Sequence, residues 1–219
     1  MLRMLSASEI VALHDQLTRA GHHAPEGSVE DVPPSAGFST APGANPDWLD
    51  SVARQHRANF DLWHIEDEAR APGATDAELA GVKRRVDRTN QLRNDLGEEL
   101  DRALLGWLNA QCLPNPAAQL HSESPGLIVD RLSILALKIY HTREEAERVD
   151  ATPGHAARNR DRLAILEQQR EDLAGCLDSL WRETLAGTRR FKLYRQLKMY
   201  NDPSLNPAIY RKSLKEPNR

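Results

Sequence analysis

The sequence predicts an all-α protein, an antiparallel bundle of four to five long helices with a shorter basic helix near the C-terminal end. Three observations carry that expectation. Ala, Leu, Arg, Glu and Asp dominate, aromatic residues make up only 5% of the chain, and β-branched runs are almost absent. Apolar residues recur every three or four positions along several long segments. All but one of the Pro- and Gly-containing breaks between those segments are short, as antiparallel neighbours require. At 219 residues the chain can bury a substantial core, and residues 1–219 are expected to form a single domain.

The elements follow in order. Ser6 with Glu9 reads as a capping box opening a helix to about Ala20, with Ile10, Leu13 and Leu17 as its stripe and Gly21 as its stop. Residues 21–46 collect Pro25, Gly27, Pro33, Pro34, Gly37, Pro42, Gly43 and Pro46, a long flexible loop that is either a linker or a lid. A second helix spans about Asp47 to Ala71 before Pro72-Gly73. Its apolar line of Leu49, Val52, Phe60 and Trp63 also carries His56, Asp67 and Arg70. A third opens at Thr75, with Glu78 completing a capping box, and runs to about Gln111. Leu79, Val82, Val86, Leu96, Leu100, Leu104 and Trp107 form its stripe, and Arg93 falls on it.

The fourth helix takes Ser124 as N-cap and Pro125 as its first residue, and should fray near Asp150. It is apolar on nearly every side, which predicts that it runs through the middle of the fold. Thr152 and Pro153 then start a fifth, lined by Leu163, Leu166, Leu173, Leu177, Leu180 and Leu185 and ended by Gly187. Arg189 to Tyr200 reads as the shorter basic helix, stopped by Asn201-Asp-Pro203.

Two cysteines, Cys112 and Cys176, are too few for a tetrahedral sulfur site or a secreted disulfide framework. No segment approaches the roughly 20 apolar residues of a membrane span, and the first residues lack a signal-peptide pattern. A cytoplasmic protein is therefore expected. The net charge of −3 conceals a split: residues 188–219, the basic tail, carry nine Lys/Arg against Asp202 and Glu216, which leaves 20 basic and 30 acidic residues before them. Such a tail either packs on its own acidic body or meets an anionic partner. Phe191, Tyr194 and Tyr200 interleave with the cations of this tail, Arg195 and Lys198 among them, a pattern that can stack and hold single-stranded nucleic acid. The acidic body opposes it, and a phosphorylated small molecule fits better.

Ionisable residues set into the central helix are the main functional signal. Such groups are rarely buried without partners, so Asp130, Arg131, Lys138 and His141 mark either an ion-pair lattice or a site. Arg131 and Lys138 share a face about 10 Å apart and are spaced to grip a phosphate or diphosphate. Asp130 and His141 lie on another face, about 16 Å apart. The bland reading pairs the cations with Glu66, Asp67, Asp87 or Asp95. The second and third helices repeat the pattern with His64, Glu66, Asp67 and Arg70 around Trp63, and with Asn90 and Arg93 at mid-length. Polar breaks at mid-length on three helices can meet in one layer.

No metal or cofactor is expected. Glu-x-x-His pairs and His-Glu-x-x-His are absent. His64-x-x-Asp67 and Glu98-x-x-Asp101, the latter like a pyrophosphohydrolase arrangement, are patterns that charged helices often produce by chance. His14-Asp15 is expected to pack or cap. Ser122, Glu123 and Ser124 are expected to cap the fourth helix themselves. Ser133 and Cys176 have no base partner legible in the sequence.

Asn59-Phe-Asp-Leu-Trp-His64-Ile-Glu-Asp67-Glu-Ala-Arg70, His121-Ser-Glu-Ser-Pro-Gly, Asp130-Arg-Leu-Ser-Ile-Leu-Ala-Leu-Lys138-Ile-Tyr-His141 and the segment from Arg190 to Pro203 resemble a bacterial helical family, domain of unknown function 4254. The resemblance runs from about His14 onward, apart from the Pro/Gly-rich loop. It implies an association with glycosyltransferases and cell-surface polysaccharide genes, and it supplies no catalytic residues. Two readings follow. One is an accessory or scaffold protein that docks on a protein partner or on itself. The other is a bundle with a polar interior that binds an anionic metabolite such as a nucleotide sugar or sugar phosphate. In that second reading Arg131 and Lys138, with Arg93 or Arg70, bind phosphate, and Asp67, Asp130 or His141 orient hydroxyls or move protons.

Overall fold

A computed structural model of the chain describes residues 4–23, 38, 40, 42, 44–197 and 204–207. Within them lie five helices, α1 (Ala7–His23), α2 (Pro46–Glu68), α3 (Asp76–Asn109), α4 (Pro125–Glu147) and α5 (His155–Leu185). Two residues at each of Gln119–Leu120 (β1) and Arg189–Arg190 (β2) form a short parallel pair. The all-α bundle stands as expected. α2 and α3 fold back on each other, α4 and α5 do the same, and α1 packs across α2, α4 and α5. α4 touches all four other helices, which is why its apolar residues could not be confined to one stripe.

Local sequence explains most boundaries. Thr75 and Glu78 form the capping box of α3, each side chain accepting the other residue's backbone N–H. Ser6 and Glu9 do the same at α1. Asn45 caps α2, with Pro46 in its first turn. Gly187 ends α5 at φ +72°, a left-handed conformation that glycine adopts without Cβ strain.

Four expectations need correction. Gly21 does not stop α1, which continues to His23. A Cβ on Gly21 would lie 2.6 Å from Phe60 Cζ, so this glycine exists to let α2 come close. α5 starts at His155 behind Gly154 at φ +80°, not at Thr152-Pro153. The basic segment is not a helix over residues 189–197. Arg189 and Arg190 pair with β1, Phe191 is buried, and residues 191–197 follow without helical structure. The remainder of that segment, 198–203, lies outside the described residues, as does most of the 21–46 loop, whose Phe38 and Ala44 pack on the core.

Finally, Ser124 precedes α4 but makes no side-chain cap, and the cap comes from α3 instead. Asp101 accepts the Gly126 N–H at 2.7 Å and the Ser124 hydroxyl. Burial pushes the Asp101 carboxyl up to about 6, against the two hydrogen bonds that favour its charge. This contact demands a glycine, because a Cβ on Gly126 would stand 2.5 Å from the Gly97 carbonyl oxygen and 2.9 Å from Asp101 Oδ1.

The core gathers Ile10 and Leu13 of α1, Val52 of α2, Leu100, Leu104 and Leu108 of α3, Ile128, Val129 and Leu132 of α4, Leu177 and Leu180 of α5, and Phe191. In urea unfolding, Gly126→Ala should lower stability by about 1–3 kcal/mol through overpacking of α4 on α3. Gly175→Ala, at an open position on α5, should raise it by roughly 0.5–1 kcal/mol through helix propensity alone. Equal effects at the two positions would contradict the close α3–α4 approach.

Candidate functional site

Midway along α4, Asp130 is 9% exposed and would be costly to bury as a bare charge. It is fully met. Arg93 of α3 donates from Nε at 2.8 Å and from Nη2 at 2.6 Å, a bidentate fork. Gln55 and Asn59 of α2 each donate to Asp130 Oδ1, Asn59 at 3.0 Å. The second Asn59 N–H reaches Ser133 Oγ at 3.0 Å, one turn further along α4. Ser133 then meets His56 Nδ1 at 2.8 Å, and His56 Nε2 meets the Thr18 hydroxyl of α1 at 3.1 Å. A single hydrogen-bonded layer thus crosses α3, α4, α2 and α1, and His14 stacks on its His56 end with ring centroids 4.8 Å apart.

Ser133 and His56 have the contact of a nucleophile and its base, a partner that could not be read from the sequence. Both are sealed, however, at 0% and 1% exposure. Burial also pushes the His56 imidazole down to about 3, which makes it a poor proton acceptor at neutral pH. This pair is structural.

Next to the layer a groove of about 320 Å³ opens between α2, α3 and α4. Leu62, Trp63, Ile134 and Leu137 give it apolar walls, while Asn59, Glu66, Asp67, Arg70 and Arg93 supply polar groups. Three of the expected site residues, Asp67, Arg70 and Arg93, therefore converge there. Arg93 is held by Asp130, and Arg70 leans on Glu66 at 3.5 Å. Arg131 and Lys138 do not line the groove. They are exposed, three and four residues either side of Ile134 on the α4 surface. Neither forms an ion pair with Glu66, Asp67, Asp87 or Asp95: Arg131 binds Glu123 at 2.9 Å, while Lys83 takes Asp87. Asn90 is half-buried on α3, Arg195 is exposed beyond β2, and Lys198 lies outside the described residues.

The other two expected residues meet elsewhere. His64 of α2 and His141 of α4 come together with His22 of α1, one ring nitrogen of each lying within 4.8 Å of the others. Trp63 connects this cluster to the groove, since it lines the groove and stacks on His141 at 4.9 Å. Phe60 and Tyr140 pack on His64 and His22, each with centroids 4.3 Å apart. The sequence does not single out His22, because Gly21 before it reads as a helix stop. The available signal was His14, Thr18 and His22 at four-residue spacing, which places all three on one face of α1.

The remaining patterns are absorbed by structure. Glu98 accepts the Gln196 N–H, and Asp101 caps α4, so both carboxylates of the Glu98-x-x-Asp101 pattern are engaged. Asp15 pairs with Arg170 at 2.8 Å. Cys112 and Cys176 are exposed free thiols.

Burial holds His14 well below its ordinary value, with His56 and Arg170 adding to the effect, and holds His56 at about 3. Unfolding releases both to titrate near 6.5, so below that pH the unfolded chain binds more protons. Their stabilising share is complete above about pH 6.5 and is lost as the pH falls below it, for His56 down to about 3. Asp101 acts oppositely: with its folded value raised to about 6 from 3.8, its share declines as pH rises between those values. Between pH 6 and 4.5, the wild type should lose stability relative to His56→Gln by about 1.4 kcal/mol per pH unit, one proton's worth. Urea melts across that range check it, and parallel curves would contradict the neutral, buried His56.

No described helix is long and apolar enough to cross a membrane. Comparison with curated proteins and with solved structures yields no match. A family model does match, over residues 49–193, a span that runs from the first turn of α2 through β2 and holds the groove and the Asp130 layer apart from Thr18. It begins later than the resemblance from His14 implied and leaves α1, with His14 and His22, outside. The chain belongs to that family, described as a protein of unknown function, DUF4254.

Proposed function

We propose that the protein is a cytoplasmic, non-catalytic accessory to cell-surface glycan assembly, and that it holds the glycosyl part of a sugar phosphate or nucleotide sugar in the α2–α3–α4 groove. The observation that carries this reading is the groove's lining. Trp63 lines the groove with an indole ring, an apolar surface of the kind that packs on the apolar side of a sugar ring. Glu66 and Asp67 accept hydrogen bonds from hydroxyls, and Arg70 donates. About 320 Å³ suits a monosaccharide unit, at the lower end of small-molecule sites. The Asp130 layer beneath supplies a rigid floor, because Asn59 and Arg93 belong to both.

The phosphate end has a defined place in this reading. Lys138 stands exposed on the α4 side of the groove, with no ion pair among the described residues, and Arg131 is tied only to the half-exposed Glu123. An exposed pair of that kind is weak enough to exchange for a phosphate. The family resemblance supports the glycan setting through its implied association with glycosyltransferases. A purely scaffolding role would leave the groove without an occupant.

Isothermal titration against a panel of nucleotide sugars and sugar phosphates tests the reading. At 100 times its dissociation constant a true ligand stabilises the fold by about 2.7 kcal/mol, visible as a thermal shift. Asp67→Asn and Lys138→Ala should each weaken binding by roughly tenfold, about 1.4 kcal/mol, with folding intact. Arg143→Ala, whose side chain pairs with Glu167 of α5, should leave it unchanged. A panel without a saturable binder, or binding indifferent to Asp67 and Lys138, sinks the proposal in favour of a docking role.

A further inference from the structure

The three histidines at the end of the bundle are arranged in a way that aromatic packing does not require. His22 Nδ1 contacts the Thr18 carbonyl oxygen at 2.7 Å, and His64 Nδ1 contacts the Phe60 carbonyl oxygen at 2.8 Å. His141 Nδ1 contacts a carboxylate oxygen of Glu144 at 2.9 Å. Carbonyl and ionised carboxylate oxygens only accept hydrogen bonds, so each Nδ1 carries the proton and donates it. Every ring is thereby fixed in the same tautomer, and the lone pair of each falls on Nε2. Nε2 of His22 and of His141 are both buried with no hydrogen-bond partner among the described residues. Two buried acceptors without a donor call for an explanation, and a shared cation is the simplest.

We propose that His22, His64 and His141 form a three-histidine site for a divalent transition metal ion of the zinc class, with Glu144 as the outer carboxylate that orients His141. Neutral imidazole is a good ligand for such ions. Histidine ligands to metals nearly always donate their second ring N–H to a carbonyl or carboxylate, and all three do so here. Tetrahedral zinc places its histidine nitrogens about 3.4 Å apart. One ring nitrogen of each histidine lies within 4.8 Å of the others, so bringing those atoms onto an ion takes shifts of under about 1 Å. The three ligands come from α1, α2 and α4, and Phe60, Trp63 and Tyr140 surround them with aromatic carbon. Three protein ligands leave one coordination position for water or a bound molecule, the arrangement of an open zinc site.

This proposal departs from the expectation from sequence that no metal is bound. Its ligands sit on three different helices, so no local motif announces them. It does not depend on the sugar-binding proposal, since neither Asp67 nor Lys138 belongs to it.

Cobalt alone is the first probe. Tag-free full-length protein, stripped with chelator, is titrated with Co2+ and then with Zn2+. The expected result is one Co2+ per chain with visible ligand-field absorption, displaced by one equivalent of Zn2+. His22→Ala, His64→Ala and His141→Ala should each weaken binding by at least about tenfold with the helical circular dichroism retained. Where an alanine variant fails to fold, the glutamine variant at that position replaces it. Glu144→Gln, which leaves all three rings in place, should weaken binding by roughly tenfold, an effect that loss of packing would not produce. His155→Ala, at the start of α5, should bind like the wild type. Absence of stoichiometric Co2+ or Zn2+ binding at micromolar metal overturns the site. Binding that survives in the folded His22 and His141 variants does so equally.

Discussion

A carboxylate placed in the middle of the central helix is the constraint on which the other helices are arranged. Asp130 cannot be buried as a charge unless strong donors reach it, and α4 has no spare donors of its own at that level. Arg93 must therefore come from α3, and Gln55 and Asn59 from α2. Apolar contacts alone tolerate helices sliding or rotating by a few ångströms, whereas a bidentate fork does not. Hydrogen bonding thus selects one register of α2, α3 and α4, and the His56–Thr18 contact extends the same register to α1.

Both proposed sites inherit their geometry from that register. The groove lies where α2, α3 and α4 part beside the layer, and its floor residues Asn59 and Arg93 are layer members. The histidine cluster lies where α1, α2 and α4 converge beyond it, reached through the His14–Thr18–His22 face of α1. Trp63 touches both, with one ring lining the groove and stacked on His141. At the opposite end of α4, Asp101 of α3 does for the helix terminus what Arg93 does for its middle, pinning it with a side chain from another helix.

What the sequence made legible was local. Capping boxes at Ser6 and Thr75, Pro125 at a helix start and the left-handed Gly187 are decided by neighbours within a few residues, and all are readable. So was the central place of α4, because a helix apolar on every side has no solvent face. Errors fell where a residue's meaning depends on another helix. Gly21 looks like a terminator and is a gap for Phe60, and Ser124 looks like a cap but donates its hydroxyl hydrogen bond to Asp101. Arg189 to Leu197 has helical spacing, yet pairing with β1 and burial of Phe191 override it. Of the polar positions singled out, Arg93 and Asp130 met as a pair, whereas the rotation of α4 leaves Arg131 and Lys138 on its surface. Spacing along one helix fixes which residues share a face; it does not say which way that face points.

The Arg93–Asp130 coupling is the most direct test of the account. A double-mutant cycle with Arg93→Met, Asp130→Leu and the double variant, read by urea unfolding, isolates it. Arg93→Met should lower stability by about 3–5 kcal/mol, because it leaves the buried Asp130 without a counter-ion, and Asp130→Leu should also destabilise, because it leaves Gln55, Asn59 and the half-buried Arg93 without their acceptor. The double variant should lose far less than their sum, since the two apolar replacements can pack together. Additive losses would contradict the claim that this ion pair sets the register of the bundle.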